Sequence, residues 1–286
     1  MRFSKMQAYG NDYIYVPLFE QNMDHHSAWA RFLSHRRFGI GSDGMVLICP
    51  SDIADFRMRI FNPDGSEAEM CGNALRSTGM YVFEKGLTSK TEFTIETLGG
   101  IKRIFLDTEN GHVKNITAAI GAPILEYNKI PSTACNADGH CIGINAEVLD
   151  KVLALNAISL GNPHCVVFVE DAFGYDLDKY GPAVEKHVVF PAGANVEFVQ
   201  VVDEHNLKMR TWERNCGETL ACATGCSAAT VCGFLTGRCS NEVTVHQLGG
   251  DIFIKYDITE NCIYMTGRSW FVFDGEADDE AYKEFI

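Results

Sequence analysis

Two cysteines stand out because their surroundings recur. Met70-Cys71-Gly72-Asn73 and Ala221-Cys222-Ala223-Thr224 lie 151 positions apart, and each opens a helix-like run that ends at a glycine, Gly86 or Gly237. Asn73 is the expected N-cap of the first run, and Thr224 holds the same place in the second. A thiol just before an N-cap lies beside free backbone N–H groups and the positive end of the helix. That location lowers a thiol pKa and makes a carboxylate site. With two such ends facing each other, one bound carboxylate would have a thiol on either side. This arrangement suits inversion at the carbon next to the carboxylate: one thiolate removes the α-proton and the opposite thiol delivers a proton to the other face. The helix ends would stabilise the charge that develops. The same two residues also read as small buried side chains in a duplicated core, since free cysteine is commonly buried. The residues alone leave both readings open.

The elements that must position these thiols repeat as well. Gly10-Asn11 falls on Gly161-Asn162, Met58-Arg59 on Met209-Arg210 and Glu67 on Glu218, all 151 apart; Leu98-Gly99-Gly100 and Leu248-Gly249-Gly250 match at 150, a one-residue slip. Agreement at so many places implies a duplicated domain and a pseudo-two-fold pair with a cleft where equivalent ends meet. The expected halves are 1–120 with 269–286, carrying Cys71, and 121–268, carrying Cys222. Short apolar or alternating runs predict strands at 45–49, 57–61, 93–97 and 165–169, and at 196–202, 208–212, 242–246 and 252–256. Helices are expected after each cysteine, at 27–36 and at 146–154. The segment 270–275 reads as a last strand without a counterpart in the repeat, free to return to the first half. The expected fold is α+β: two pseudo-symmetric domains, each a mainly antiparallel, barrel-like sheet wrapped around a central helix.

Composition narrows the function. Acidic residues outnumber basic ones 38 to 24, a net charge of −14, which argues against nucleic acid or an anionic membrane as a partner. No apolar run approaches the ~18 residues of a membrane span, and the first residues carry no signal-peptide pattern. The expectation is therefore a cytoplasmic protein with reduced thiols, although it has 11 cysteines. Cys216, Cys222, Cys226, Cys232 and Cys239 cluster in sequence, but their spacings fit neither a zinc pair nor an iron–sulfur run, so no metal is expected.

At these residues the sequence resembles the diaminopimelate epimerases, cofactor-independent enzymes that interconvert LL- and meso-diaminopimelate. The resemblance covers nearly the whole chain. Its most specific parts are residues 62–73 (NPDGSEAEMCGN) and 213–222 (ERNCGETLAC), supported by Gly161-Asn162-Pro163-His164-Cys165 and Gly193-Ala194-Asn195-Val196. It implies Cys71 and Cys222 as the catalytic thiol pair. It implies Gly72, Asn73, Ala223 and Thr224 as contacts to the α-carboxylate and α-amino groups, partly through backbone N–H groups. Asn11, Asn62, Asn162, Asn195 and Arg214 would read the distal amino acid end. Glu213 would lie near the α-amino group, and His164 and Glu213 would assist proton traffic. Amides and one arginine can pair ammonium and carboxylate together, and such a site rejects simple amino acids by leaving buried polar groups unpaired. The resemblance also implies a small-molecule substrate, no cofactor and a homodimer. Several positions depart from the family pattern: Ala74 and Ser77 after the first cysteine, Ala223 where glycine is usual after the second, and Gly44 where some members carry glutamine. Competing readings are a sister racemase acting on another amino acid such as histidine, a thiol redox or metal-binding protein, and a non-catalytic binding module.

Overall fold

The repeat is written into the hydrogen-bond register. The protein, described here by a computed structural model over residues 1–278 and 280–285, divides into two compact units, Met1–Ala118 with Gly267–Ile286 and Ala119–Thr266. Asp279 and Ile286, both in the segment expected to complete the first half, lie outside the described residues.

Unit 1 begins with β1 (Arg2–Ala8) and β2 (Asn11–Pro17), an antiparallel hairpin. Its turn residues Tyr9 and Gly10 both have positive φ, 57° and 87°, the backbone twist that tight hairpins favour. A helical crossover, α1 (His26–Ser34), leads to β3 (Met45–Cys49), which pairs parallel to β2. Then come β4 (Phe56–Phe61), the two-residue β5 (Glu67–Ala68), the central helix α2 (Gly72–Glu84), β6 (Glu92–Thr97), β7 (Gly100–Glu109) and β8 (His112–Gly121).

Unit 2 opens with the hairpin β9 (Ile144–Val148) and β10 (Lys151–Ser159). This corrects the helix expected at 146–154. Buried and exposed residues alternate along β9, and Leu149 takes a left-handed turn conformation at φ 55°. Two-residue periodicity and a tight turn exclude a helix there. Next are β11 (Pro163–Phe168), α3 (Leu177–Glu185), β12 (Asn195–Asp203), β13 (Asn206–Glu213), β14 (Gly217–Thr219), the central helix α4 (Ala223–Leu235), β15 (Glu242–Gln247), β16 (Gly250–Asp257) and β17 (Cys262–Gly267). Finally β18 (Trp270–Glu276) belongs to unit 1, where it pairs antiparallel with β1.

Partner residues match across the repeat. Ile14 faces Met45 in unit 1, and Cys165 faces Val196 in unit 2. Met45 faces Phe61, and Val196 faces Trp212. Phe61 faces Glu67, and Trp212 faces Glu218. Thr97–Gly100 and Gln247–Gly250 close the later hairpins, with the one-residue slip. Helices α1 and α3 also correspond, 151 positions apart; α3 was not expected from sequence, where Gly181 and Pro182 give it a loop-like character. Gly181 is required by packing: a Cβ there would lie 2.7 Å from the Trp212 ring.

Each sheet buries its central helix. Helix α2 packs on β1, β2, β4 and β7, and α4 packs on β10, β11, β12, β15 and β16. In α4 every residue from Ala223 to Gly233 is buried. Its small side chains permit that enclosure; a Cβ on Gly233 would come 2.5 Å from Cys239 Sγ. A helix that is apolar all round belongs inside a sheet of this kind. Around it, Val243, Val245, Ile252, Ile254 and Ile263 are fully buried, each contributing about 1.5–3 kcal/mol of apolar transfer energy.

Candidate active site

The two cysteines are themselves the N-caps. Helix α2 starts at Gly72 with Cys71 as cap, and α4 starts at Ala223 with Cys222 as cap, both caps extended (φ −137° and −127°). This moves the caps two residues earlier than the expected Asn73 and Thr224, which lie inside the first helical turn. The cause is local: an extended cysteine followed by glycine or alanine frees the first N–H groups, while the Asn73 side chain bonds Asn11 and Arg76 and the Thr224 hydroxyl lies beside the Cys222 sulfur. A short strand, β5 or β14, precedes each cap. Bidentate ion pairs hold both strands in the same way. Arg59 Nε and Nη2 reach Glu67 at 2.7 and 2.8 Å; Arg210 Nε and Nη2 reach Glu218 at 2.6 and 3.0 Å.

Around Cys71 the setting is mostly amides and phenol. The thiol donates to Asn11 Oδ1 at 3.6 Å, and Asn73 Nδ2 donates to the same oxygen at 3.2 Å. Asn11 Nδ2 in turn donates to Asp43 at 2.9 Å. The fully buried Arg76 fixes Asn73 through a 2.6 Å bond from Nη2 to Oδ1. Tyr13 also hydrogen-bonds the thiol. Burial pushes its phenol well above the ordinary range, and the Cys71 sulfur adds to the push. Asn62 is held in the turn after β4, donating from Nδ2 to Ser66 Oγ at 3.0 Å. At Gly44 an added Cβ would meet the Phe61 carbonyl oxygen at 2.4 Å and Tyr13 Cε1 at 2.8 Å, so this backbone has no room for a side chain there.

Around Cys222 the setting is ionisable. The thiol accepts from the Gly225 N–H at 3.3 Å and lies 3.5 Å from Thr224 Oγ1, while the Cys222 N–H donates to Gln247 Oε1 at 2.7 Å. His164, on β11, is fully buried. Its Nδ1 lies 2.7 Å from Glu197 Oε1 and its Nε2 3.1 Å from Asn162 Oδ1. Burial pushes the Cys222 thiol well above its ordinary value; Glu213 and Glu197 add to the push, and the bonds from Thr224 and the Gly225 N–H oppose it. The expected lowering of this thiol by the helix end is therefore corrected. The helix end is present, but burial beside two carboxylates outweighs it. Glu213 accepts from Thr219 Oγ1 at 2.7 Å. Asn195 pairs with β11 opposite His164 and ties Pro163 to the Arg214 backbone, donating to the Pro163 carbonyl at 3.0 Å and accepting from the Arg214 N–H at 3.0 Å. The Arg214 side chain reaches the Ala192 carbonyl at 3.4 Å.

Within unit 1 the structure thus gathers Asn11, Gly72 and Asn73 about Cys71. Within unit 2 it gathers Asn162, His164, Glu213, Ala223 and Thr224 about Cys222. Tyr13, Glu197 and Gln247 were missed from sequence. Glu197 carried a signal, being an acid between Val196 and Phe198 on a buried strand. A ring nitrogen of His164, a carboxylate oxygen of Glu197 and Cys222 Sγ all lie within 4.8 Å of one another. The ring nitrogens also face oxygens, Nδ1 that of Glu197 and Nε2 that of Asn162, and the Gly225 N–H at the start of α4 reaches the sulfur. None of the eleven cysteines, all among the described residues, is joined in a disulfide.

The family model for diaminopimelate epimerase matches residues 3–125 and 156–272. The chain belongs to the diaminopimelate epimerase family. It is 47% identical over 279 residues to the diaminopimelate epimerase of Acetivibrio thermocellus, covering 97% of this chain and 99% of that one. It is likewise 47% identical over 280 residues to that of Methanococcus maripaludis strain C6, covering 97% and 100%. Among solved structures, a PhzF-family phenazine biosynthesis protein of Bacillus anthracis superposes with a TM-score of 0.71 at 19% identity, covering 97% of this chain and 99% of that chain. A hydroxyproline epimerase of Agrobacterium vitis does so at 0.68 and 14%, covering 96% and 91%. At such identities the likeness establishes the fold alone, the α+β two-domain architecture expected from sequence. No helix among the described residues is long and apolar enough to cross a membrane.

Proposed function

We propose that the protein epimerises LL-2,6-diaminopimelate to the meso isomer without pyridoxal phosphate, using Cys71 and Cys222 as the two proton-transfer groups. The observation that carries this reading is the equivalence of the two thiols. Each caps the N-terminus of a buried helix at the same place in one half of a duplicated, family-matched chain.

The chemistry balances between the two sulfurs. One thiolate takes the α-proton and becomes a thiol. The electron pair left on Cα delocalises into the carboxylate, whose growing charge is met by N–H groups at the helix starts, near Gly72, Asn73, Ala223 and Thr224. The opposite thiol then gives its proton to the other face of Cα and becomes a thiolate. The reverse direction exchanges the two parts. A substrate ammonium beside Glu213 would neutralise one of the carboxylates that hold Cys222 in its protonated form. Asn11, Asn62, Asn162, Asn195 and Arg214 supply the amides and the guanidinium suited to a second amino acid end, and His164 the proton-holding ring. The lysine and cell-wall precursor pathways, a cytoplasmic location and a homodimer complete the proposal and rest on the family alone.

Proton NMR of LL-diaminopimelate with reduced protein in D2O, without added pyridoxal phosphate, tests it. Loss of the α-proton signal with appearance of the meso isomer is the expected result. Absence of exchange from fully reduced protein overturns the substrate assignment, and the same assay on histidine and other amino acids then identifies a sister racemase.

A further inference from the structure

The reaction above asks nothing of Glu197, yet the fold gives its carboxylate an expensive place. Glu197 is fully buried on β12; Oε1 meets His164 Nδ1 at 2.7 Å, and Oε2 has no hydrogen-bond partner among the described residues. A buried, half-satisfied carboxylate costs stability unless something is gained by it. The architecture does not require it. The matching position in unit 1, 151 residues earlier, is Val46, and the match to His164 is Tyr13. Valine fills that place on β3 fully buried, so the same scaffold folds around an apolar side chain.

A carboxylate can only accept, so His164 must turn an Nδ1–H toward Glu197, which leaves the Nε2 edge facing Asn162. We propose that Glu197 is a positioning residue for the second thiol: it fixes the ring of His164 in this orientation and sets a carboxylate within 4.8 Å of the Cys222 sulfur, where it adds to the burial and to the Glu213 carboxylate that disfavour a second negative charge there. The groups facing that sulfur are Glu213 from β13, Glu197 from β12, His164 from β11, and Thr224 with the Gly225 N–H from α4. Glu197 also touches the helix start directly, since a Cβ on Gly225 would lie 2.7 Å from its Oε1. It therefore sits where it can act on ring and sulfur together. Neither Tyr13 nor Val46 can do the same for Cys71.

The catalytic arm of this inference rests on the epimerase reading; the other two arms do not. In E197Q the carboxamide keeps the shape and removes the charge. Iodoacetamide labelling followed by mass spectrometry should show Cys222 alkylated several-fold faster at pH 8, its rate rising at lower pH than in the wild type, with Cys71 unchanged. Nitrogen NMR of labelled histidine should show the His164 Nδ1–H resonance shifted, because a carboxamide oxygen accepts more weakly than a carboxylate. Where the protein epimerises, kcat should fall, by at most the roughly 10²-fold lower end of what a positioned proton-transfer group contributes, while KM stays nearly unchanged. E197D, which keeps the charge on a shorter stem, should retain the slow alkylation of Cys222 while weakening the bond to His164, and it serves if E197Q does not fold. A folded E197Q with unchanged Cys222 alkylation and unchanged His164 overturns the proposal, as does a variant in which both thiols change alike. The expected labelling and NMR changes without α-proton exchange in the wild type would sink the epimerase reading and leave this one standing.

Discussion

The two halves hold equivalent thiols on one backbone plan but surround them with different chemistry. Cys71 is framed by Asn11, Asn73 and Tyr13. Cys222 is framed by His164, Glu197 and Glu213. The ladder register, the cap geometry and the Arg–Glu clamps are the shared inheritance. The side chains that touch sulfur have diverged. Duplication therefore preserved the backbone that places each sulfur and released the side chains around it. The unit 2 thiol lies among ionisable groups, while the unit 1 thiol lies among amides and a buried phenol.

Four experiments can break or sharpen this contrast. The largest effect is expected from the thiols: Cys71→Ala and Cys222→Ala should each cost about 10³-fold or more in epimerisation rate, because in the proposed mechanism either change removes one of the two proton carriers. Equal loss is the result that keeps the pair equivalent, and survival of one variant at near wild-type rate would dissolve it. Packing should differ next. Gly225→Ala forces a methyl group to within 2.7 Å of Glu197 Oε1 and should cost about 1–3 kcal/mol in denaturant unfolding. The matching residue, Ala74, already carries that methyl group, and Ala74→Gly should cost about 1 kcal/mol through helix propensity.

Alkaline stability should separate the units more gently. Burial raises Cys165, Cys222 and Cys232 well above the ordinary 9.0 and pushes Cys239 up to about 11. In unit 1 the strongly raised buried groups are the phenols Tyr13 and Tyr15, whose ordinary value is 10.0. Below the unfolded value both states are neutral and the stability is fully present. Above it only the unfolded chain ionises, so stability falls as pH rises. Hydrogen exchange followed from pH 8 to 11 should show unit 2 opening first, beginning near 9. The smallest effect belongs to the clamps. Glu67→Ala and Glu218→Ala each remove a largely buried bidentate pair with some solvent access, and each should cost about 1 kcal/mol or less after solvent screening, visible as a Tm drop of about 2–4 °C. Similar losses would confirm the clamps as part of what the halves still share.

Much of this was readable from spacing. The 151-residue offset located both thiols, the central helices and the Arg–Glu matches, because a repeated sequence implies a repeated backbone. The offset also predicted the slip at Gly100 and Gly250. What escaped was local or tertiary. The segment 146–154 carries apolar residues that read equally as helix or strand, and the Leu149 turn together with the alternating burial of β9 decides it. Helix α3 contains Gly181 and Pro182, which local propensity assigns to a loop, whereas the Trp212 ring packed over Gly181 stabilises the helix. The charge state of Cys222 escaped because burial beside Glu197 and Glu213 is a property of the closed sheet, and a helix-end argument taken alone gives the opposite sign.

One feature of the chain path bears on how the molecule is made. Unit 2 is continuous in sequence, whereas unit 1 takes its last strand from the far end of the chain: β18 lies along β1, and the amino terminus donates to the Ala277 carbonyl at 2.8 Å. During synthesis the first 118 residues leave the ribosome with the β1 edge unpaired, and it stays open until residues 270–276 emerge. Unit 2 can close in the interval, since domains tend to fold as their chains appear. The half that is translated first is completed last, and a nascent chain stalled before residue 270 would present a bare strand edge to any neighbour able to pair with it.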